Sequence, residues 1–254
     1  MPAVLDSLGA GYAARRGRVQ EYFDRTAAGA WARLTGDAPV SGVRATVREG
    51  RARMRAQLLA WLPEDLAGAR VLDAGCGPGM LAMELAARGA AVTAVDLSPT
   101  LVALARERAA GRPGADRVVW HVGDMLDPAL GRHDYVVAMD SLLYYDAAAT
   151  ARSLGVFAAA VSRAVLATFA PATPLLRAMH ATGRLFPRAD RAPAIEPVGE
   201  GALRAAVRGM VGDDPRLAGW RWARSARVAH GFYTSQALEL RHDDSSDPAL
   251  ETVA

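Results

Sequence analysis

The feature that most constrains the fold is an alternation of strand and helix patterns between residues 69 and 170. Short runs of valine, alanine and leucine are separated by longer segments in which apolar residues recur at helical spacing. Strands that alternate with helices in this way form a parallel sheet, because each helix carries the chain back to the start of the next strand. The sequence therefore predicts an α/β protein. The predicted parallel strands are residues 69–75, 90–97, 117–124, 133–140 and 163–170.

Different patterns flank this alternation on both sides. Upstream, residues 1–65 are arginine-rich and helical in pattern, and Pro63 ends the last predicted helix. Downstream, residues 220–230 and 231–240 have the pattern of two strands, which we expect to pair as antiparallel edge strands. The final residues, 241–254, are polar, and we expect them to be disordered.

A glycine-rich loop follows the first predicted strand and precedes a predicted helix, in the segment VLDAGCGPGMLAMELA. Gly75, Gly77 and Gly79 permit positive φ angles and remove the Cβ atoms that would keep a ligand away from the backbone. The helix that follows offers unpaired N–H groups and a partial positive charge at its N-terminus. The loop therefore predicts a site for a nucleotide-like ligand.

Three classes of ligand are bound by loops of this kind, and the flanking residues distinguish them. A dinucleotide loop of the G-x-G-x-x-G type needs a third glycine where this sequence has Met80. A phosphate-binding P-loop needs a Gly-Lys-Ser/Thr sequence, which does not follow here. The segment LDAGCGPG instead resembles the first motif of class I S-adenosylmethionine (SAM) methyltransferases. Asp73 fits SAM, because a carboxylate is favourable beside a cationic ligand and repulsive beside a pyrophosphate.

Acidic residues also end the next three predicted strands. Asp96 ends the second strand, where a carboxylate can accept hydrogen bonds from both ribose hydroxyls. The resemblance implies that Asp124 accepts from the adenine amino group and that Asp140 lies beside the reacting sulfur. We interpret Cys76 as a small residue tolerated in a tight loop rather than as a nucleophile. The predicted SAM-binding residues are Asp73, Ala74, Gly75, Cys76, Gly77, Asp96, Leu97, Asp124, Met125 and Asp140.

Composition and charge exclude several functions and partners. One cysteine among 254 residues excludes an internal disulfide and disfavours a cysteine-based zinc site, and we assign no metal ligand. The formal net charge is only +3, and no basic cluster interleaves with aromatic residues, so we expect no nucleic-acid partner. No apolar run approaches the roughly 18 residues that span a bilayer, and residues 1–20 lack the apolar core of a signal peptide. We therefore expect a cytoplasmic protein.

Segments outside the glycine loop resemble the magnesium-protoporphyrin IX O-methyltransferases of chlorophyll and bacteriochlorophyll biosynthesis. The resemblance runs from about Gln20 to Gln236. It implies a Rossmann-like class I methyltransferase fold: a mostly parallel seven-stranded sheet with helices on both faces, an N-terminal helical arm and a helical insert after strand 5. It also implies methyl transfer from SAM to one porphyrin propionate, giving the monomethyl ester and S-adenosylhomocysteine (SAH). The segments that carry the resemblance are EYFDRTAAGAWARLTGD, VREGRARMRAQLLAWL, AMDSLLYY, ATFAPATPLL and GFYTSQ.

The same resemblance implies two catalytic residues. Tyr22 matches a tyrosine implicated in catalysis in this family, on an arm that would close over the site. Tyr144 stands where the family has a histidine. Because tyrosine has an ordinary pKa of about 10, we expect Tyr144 to hydrogen-bond or stack rather than to transfer a proton. A propionate has a pKa of about 4–5 by analogy with glutamate, so it is already ionised and needs no strong base.

The resemblance also divides the chain and implies its partners. We expect residues 1–65 to form an arm or lid and residues 66–240 to form the SAM-binding domain, with a substrate-binding insert at about 171–211. The implied contacts are magnesium-protoporphyrin IX, the porphyrin-binding subunit of magnesium chelatase, and the surface of the photosynthetic or inner membrane.

Other functions stay open on the residues alone. A SAM methyltransferase for another small acid, a phenol or a quinone would share every SAM-binding residue. A SAM-binding regulator that catalyses no reaction would differ from a methyltransferase because the space for a methyl acceptor would be occluded or charged. An NAD-dependent oxidoreductase is disfavoured by Asp73 and Met80.

Overall fold

The computed structural model of this chain describes residues 9–22, 24, 42–173 and 194–244. The helices are α1 (Gly9–Tyr22), α2 (Val43–Leu59), α3 (Met80–Ala87), α4 (Pro99–Ala109), α5 (Ala147–Ala160) and α6 (Glu200–Asp213). The strands are β1 (Arg70–Ala74), β2 (Ala91–Asp96), β3 (Val118–Val122), β4 (His133–Ala138), β5 (Val161–Phe169), β6 (Trp220–His230) and β7 (Tyr233–His242). Short 3₁₀ helices lie at Ala115–Arg117, Pro128–Leu130 and Pro215–Leu217.

All these strands form one sheet in the order β3-β2-β1-β4-β5-β7-β6. The first five strands pair in parallel, and β7 is antiparallel to both β5 and β6. The predicted α/β fold with a mostly parallel seven-stranded sheet is therefore confirmed. The last two strands pair as predicted, but only β6 lies at the edge, because β7 inserts between β5 and β6. Burial explains this order, since eight of ten β7 residues are buried but only one of eleven in β6.

The strand order changes direction at β1, and this change positions the candidate site. From β1 the chain continues through β2 and β3 on one side, and it then crosses to β4 and β5 on the other side. The loops after β1 and β4 therefore diverge and leave a crevice at the carboxyl edge of the sheet. The glycine loop follows β1 and Asp140 follows β4, so both border this crevice.

Helices cover both faces of the sheet and bury two apolar clusters. One cluster packs α5 and α6 against the sheet, with Phe157 and Leu203 among its buried side chains. The other packs α2 and α3 against the opposite face, where Met54 and Leu85 are completely buried. No helix among the described residues is long and apolar enough to span a membrane. Burial on both faces explains the apolar runs of the central parallel strands, whereas only one of the five residues of the edge strand β3 is buried.

Local sequence signals explain where two helices begin. The Ser98 hydroxyl accepts a hydrogen bond from the Leu101 amide at 3.2 Å and caps α4, and Pro99 is the first residue of that helix, as predicted. Gly79, with a φ of 82°, precedes α3 and turns the chain out of the glycine loop.

The N-terminal segment is less separate from the sheet than predicted. α2 ends at Leu59, before Pro63, although Leu62 is still buried. The helix contacts β6 and β7, so its apolar face belongs to the core of the sheet domain. The predicted division at residue 65 therefore separates α2 from the strands on which it packs.

Two predicted boundaries in the C-terminal part also differ from the structure. α6, in the second half of the predicted insert, packs on α5 in the core. The predicted disorder from residue 241 is wrong for its first residues, because β7 extends to His242. Arg241 is buried there and donates to Glu239 at 2.8 Å. Residues 174–193 of the insert and residues 245–254 lie outside the described residues.

Candidate functional site

A cleft at the carboxyl edge of the sheet brings most of the predicted cofactor residues together. It encloses about 790 Å³ up to its open mouth, between the glycine loop, the loops after β2, β3 and β4, and α1. Eight of the ten predicted SAM-binding residues line it, and Tyr144 lines it too. The eight are Gly75, Cys76, Gly77, Asp96, Leu97, Asp124, Met125 and Asp140.

The loop glycines all have positive φ angles, but they serve different purposes. A Cβ added to Gly75 would lie 2.5 Å from the Cβ of Ser141, and one added to Gly79 would lie 2.5 Å from the Trp120 ring. These two positions therefore need glycine for close packing within the protein. A Cβ at Gly77 would meet no described atom within 4 Å. Of the three, Gly77 is the one that leaves space for a ligand.

Asp96 at the end of β2 is held in place by the backbone. Its Oδ2 accepts from the Gly77 amide and its Oδ1 accepts from the Ser98 amide, both at 2.9 Å. Burial raises the pKa of the Asp96 carboxyl, although both amides favour the ionised form. The carboxylate therefore links the glycine loop to the start of α4 and has a fixed orientation at the wall of the cleft.

Asp73 does not line the cleft. It is 1% exposed and borders a smaller cavity of about 380 Å³ behind the glycine loop, together with Arg51 and Arg55. Its Oδ2 has no hydrogen-bond partner among the described residues. Burial, and then the nearby Asp96, raise the pKa of Asp73 to about 7. A buried carboxylate with an unsatisfied oxygen fits a cationic ligand group that reaches behind the loop.

Asp124 after β3 is contacted by α1, which no sequence signal predicted. Its Oδ1 accepts from the Tyr12 hydroxyl and from the Leu126 amide, both at 2.9 Å. The Arg16 Nε lies 3.4 Å from the other carboxylate oxygen. The Tyr12 ring stacks on Tyr145 with 5.3 Å between the ring centroids. The N-terminal helix therefore covers the end of the cleft where adenine was expected.

Asp140 after β4 is the only non-glycine residue with positive φ in the described part of the chain, at 57°. Its Oδ1 accepts from the hydroxyls of Tyr233 at 3.0 Å, Thr168 at 3.2 Å and Ser235 at 3.4 Å. Its Oδ2 forms an ion pair with Arg51 from α2. Arg51 and Tyr233 were not predicted as site residues. Such an uncommon backbone conformation with this many contacts is typical of a functional site.

The two predicted catalytic tyrosines lie close to each other. Tyr144 is 9% exposed, and burial, followed by the charge of Asp140, raises the pKa of its hydroxyl well above the ordinary value. Tyr22, at the end of α1, is half-buried, and its hydroxyl also contributes to the raised pKa of Tyr144. The Tyr144 hydroxyl is therefore protonated at neutral pH, which suits hydrogen bonding and not proton abstraction.

Cys76 has no sign of nucleophilic activation. The thiol is buried, and burial raises its pKa well above the ordinary value. The neighbouring carboxylates Asp73 and Asp96 act in the same direction. A protonated thiol agrees with the interpretation of Cys76 as a small residue in a tight loop.

Comparison with known proteins identifies the family. A family model for the C-terminus of magnesium-protoporphyrin IX methyltransferase matches residues 138–242, and a general methyltransferase domain model matches residues 71–164. The magnesium-protoporphyrin O-methyltransferase of Rhodobacter capsulatus is 49% identical over 231 residues, which are 91% of this chain and 98% of that protein. This chain belongs to the magnesium-protoporphyrin IX methyltransferase family.

A protein sequence and a crystal structure from Synechocystis support membership of the same family. The magnesium-protoporphyrin O-methyltransferase of Synechocystis is 30% identical over 223 residues, which are 87% of this chain and 94% of that protein. A crystal structure of magnesium protoporphyrin IX methyltransferase from Synechocystis with bound SAH has a TM-score of 0.76 at 28% identity. It covers 90% of this chain and 99% of its own. The predicted family, the class I methyltransferase fold and SAM as methyl donor are thereby confirmed.

Proposed function

We propose that this magnesium-protoporphyrin IX methyltransferase converts one propionate of magnesium-protoporphyrin IX into its methyl ester. The observation that carries the proposal is the 49% identity to the Rhodobacter capsulatus enzyme over nearly the whole of both chains. The residues matched by the C-terminal family model also include Asp140, which lines the cleft, and Tyr233, which donates a hydrogen bond to it. In the reaction, a propionate oxygen bonds to the methyl carbon, the carbon–sulfur bond breaks, and SAH leaves.

The charge balance of this reaction explains why the site needs no general base. An anionic carboxylate and a cationic sulfonium become a neutral ester and a neutral thioether, so no proton is transferred. When bound, SAM supplies the electrophilic methyl group. The protein must hold the reacting atoms in line at about 3–3.5 Å and exclude water. A cleft that is covered by α1 and lined by the protonated Tyr144 fits these requirements.

The described residues fit SAM in an arrangement that we propose from their positions. Gly77 leaves space at the loop, and the fixed Asp96 carboxylate would accept from the ribose hydroxyls. Asp73, with its unsatisfied oxygen, would attract the ammonium group from behind the loop. Asp124 would accept from the adenine amino group through its Oδ2, which has no hydrogen-bond partner among the described residues, while its Oδ1 keeps the Tyr12 hydroxyl.

We propose that Tyr22 and Tyr144 orient the acceptor carboxylate through their hydroxyls. Tyr144 lines the cleft, and Tyr22 lies near enough to act on the Tyr144 hydroxyl electrostatically. The pKa of Tyr144 is raised by burial, so this hydroxyl can donate a hydrogen bond but does not remove a proton. The described residues of the predicted insert do not line the cleft. We therefore propose that residues 174–193 of the predicted insert contribute to porphyrin binding; they lie outside the described residues.

An acceptor comparison tests the proposed function. The purified protein is incubated with methyl-labelled SAM and, separately, with magnesium-protoporphyrin IX, a catechol and a quinol. We expect label to appear in the porphyrin and not in the other acceptors, and we expect Asp96→Ala to abolish it at low SAM concentration. Transfer to the catechol or quinol alone would instead favour a phenol or quinone methyltransferase, and SAM binding without any transfer would favour a regulator.

We also propose that the surface formed by the β6–β7 turn and the start of α2 contacts an anionic membrane. Phe232, at the turn between β6 and β7, is 67% exposed, and Val43, at the start of α2, is 50% exposed. Thr46 joins them, because its hydroxyl accepts from the Phe232 amide and donates to the Val43 carbonyl. Arg44 is exposed beside them. Exposed apolar side chains gain free energy when they enter the headgroup boundary, and a neighbouring arginine is attracted to anionic lipids.

Liposome sedimentation tests this contact. Vesicles with anionic lipids should retain the wild-type protein, and a Phe232→Ser variant should bind less. Val119→Ser is the matched control, because Val119 is 57% exposed on the opposite edge strand. Equal binding of both variants would contradict the proposal. For the porphyrin-binding subunit of magnesium chelatase, which the family resemblance implies as a partner, a pull-down with the purified subunit is the corresponding test.

A further inference from the structure

Arg51 occupies the boundary between the cleft and the cavity behind the glycine loop. It extends from α2 and lines both spaces. Its side chain is 20% exposed, so the guanidinium is largely removed from bulk water. Among the described residues that line the cleft, Arg51 alone carries a positive charge. The other charged residues in this described lining are the carboxylates Asp96, Asp124 and Asp140.

The surroundings of Arg51 fix its position. Its ion-pair partner, Asp140, is anchored by the Tyr233 hydroxyl at 3.0 Å and by two further hydroxyls. The helix itself is held against the same strand, because a Cβ added to Gly50 would lie only 2.5 Å from the Cβ of Tyr233. At the turn, a Cβ added to Gly231 would lie 2.4 Å from Thr46 of α2. The cation is therefore preorganised by contacts between α2 and β7.

We infer that Arg51 binds a ligand carboxylate in the cleft and that Asp140 and Tyr233 are its positioning residues. A guanidinium has five N–H donors in one plane, so it can contact Asp140 and a ligand carboxylate together. Two carboxylates enter this site in the proposed reaction: the amino-acid carboxylate of SAM and the propionate of the acceptor. The inference about the acceptor rests on the proposed function, whereas the inference about SAM does not.

Calorimetric binding measurements with SAH and with decarboxylated SAH test whether Arg51 binds the amino-acid carboxylate of SAM. If Arg51 binds the carboxylate of SAM, Arg51→Gln should weaken SAH binding by about tenfold or more and leave decarboxylated SAH unchanged. Arg53→Gln is the control, because Arg53 lies on the same helix but is 54% exposed and pairs with Glu49. It should change neither affinity.

Kinetic and binding measurements with porphyrins test the second possible carboxylate, the propionate of the acceptor. If Arg51 binds the acceptor, Arg51→Gln should keep its SAH affinity and raise KM for magnesium-protoporphyrin IX by about tenfold or more. Binding of the porphyrin dimethyl ester, which has no free carboxylate, should not change. A Tyr233→Phe variant should lower the same preference for a free carboxylate, but by less than Arg51→Gln does. This preference is measured as SAH against decarboxylated SAH, or as the porphyrin acid against its dimethyl ester.

The ion pair requires a second variant, because Arg51→Gln leaves a buried Asp140 carboxylate without its cation. Arg51→Gln with Asp140→Asn removes both charges and should show the same loss of carboxylate selectivity. The inference is overturned if SAH and the porphyrin each bind within about twofold of wild type in a folded variant. It is also overturned if acids and their neutral analogues are weakened equally, since this would reveal a general disturbance of the cleft. Failure of all porphyrin turnover in the wild type would refute the proposed acceptor but leave the SAH comparison intact.

Discussion

Replacement of Asp73 by asparagine should stabilise the free protein and weaken its binding of SAH. The carboxyl is 1% exposed, and one of its oxygens has no hydrogen-bond partner among the described residues. Burial, with a further contribution from Asp96, raises its pKa from 3.8 to about 7. At about 1.4 kcal/mol per pH unit, ionising this group in the folded protein costs about 4 kcal/mol.

The sign of the resulting pH dependence follows from the two protonation states. Below about pH 4 the carboxyl is protonated in both the folded and the unfolded chain. Between about pH 4 and about pH 7 the folded chain keeps a proton that the unfolded chain has lost, so the free energy of unfolding falls as the pH rises. Above about pH 7 Asp73 is ionised in the folded chain too, and the full cost of burying its charge lowers the free energy of unfolding. Asparagine is neutral throughout, so Asp73→Asn should gain stability over wild type across this interval.

Urea unfolding of both proteins between about pH 4.5 and about pH 8 measures this difference. The stability advantage of Asp73→Asn should grow by several kcal/mol over the series, while titrations of other groups cancel in the comparison. Asp116→Asn, at an exposed carboxylate, should show no such trend. At about pH 8, calorimetry should find that Asp73→Asn binds SAH at least about tenfold more weakly, because its ammonium has lost an anionic neighbour. A difference in stability that is independent of pH, or unchanged SAH affinity, would refute this description of Asp73.

Three further predictions concern the loop and the predicted site residues. Asp96→Ala should weaken SAH binding by about tenfold or more, because two charge-assisted hydrogen bonds to the ribose are lost, and calorimetry with unchanged affinity would contradict the assignment. Tyr22→Phe should lower kcat for porphyrin methylation while SAH affinity stays within about twofold, and wild-type turnover would reject a role for the hydroxyl. Gly79→Ala should destabilise by about 2 kcal/mol or more in urea unfolding, because of its φ of 82° and the Trp120 ring at 2.5 Å from the new Cβ. Gly212→Ala on α6, with no described atom within 4 Å of the new Cβ, should be neutral or stabilising instead.

Features that depend on local sequence were predictable. Five short apolar runs identified the parallel strands, and Ser98 with Pro99 marked the start of α4. Because the carboxyl ends of parallel strands meet at one edge, three acidic residues at those ends could be assigned to one site from the sequence. Asp96, Asp124 and Asp140 all line the same cleft.

Features that depend on contacts across the chain were not predictable from one sequence. Tyr12 meets Asp124 across 112 residues, and Arg51 meets Asp140 across 89 residues. Neither α1 nor α2 has a pattern that distinguishes a side chain in a cleft from an ordinary polar face. Such pairs arise only when the helices pack on the completed sheet.

The position of Asp73 behind the loop could have been inferred from strand geometry. Successive side chains of a strand point to opposite faces, so Asp73 shares the face of Val71. Val71 belongs to the cluster that packs against α2 and α3. The period-two pattern of β1 therefore places Asp73 on the face of Val71, and the structure shows that α2 packs on that face.

The most direct test of the central claim is a product analysis of a single incubation. Purified protein receives methyl-labelled SAM and magnesium-protoporphyrin IX, and the porphyrin is isolated and treated with mild alkali. We predict one labelled methyl group per porphyrin, released by alkali as an ester requires, together with one equivalent of SAH. The porphyrin dimethyl ester, which has no free carboxylate, should accept no label. Label that resists alkali, or label transferred equally to the dimethyl ester, would contradict methylation of a propionate.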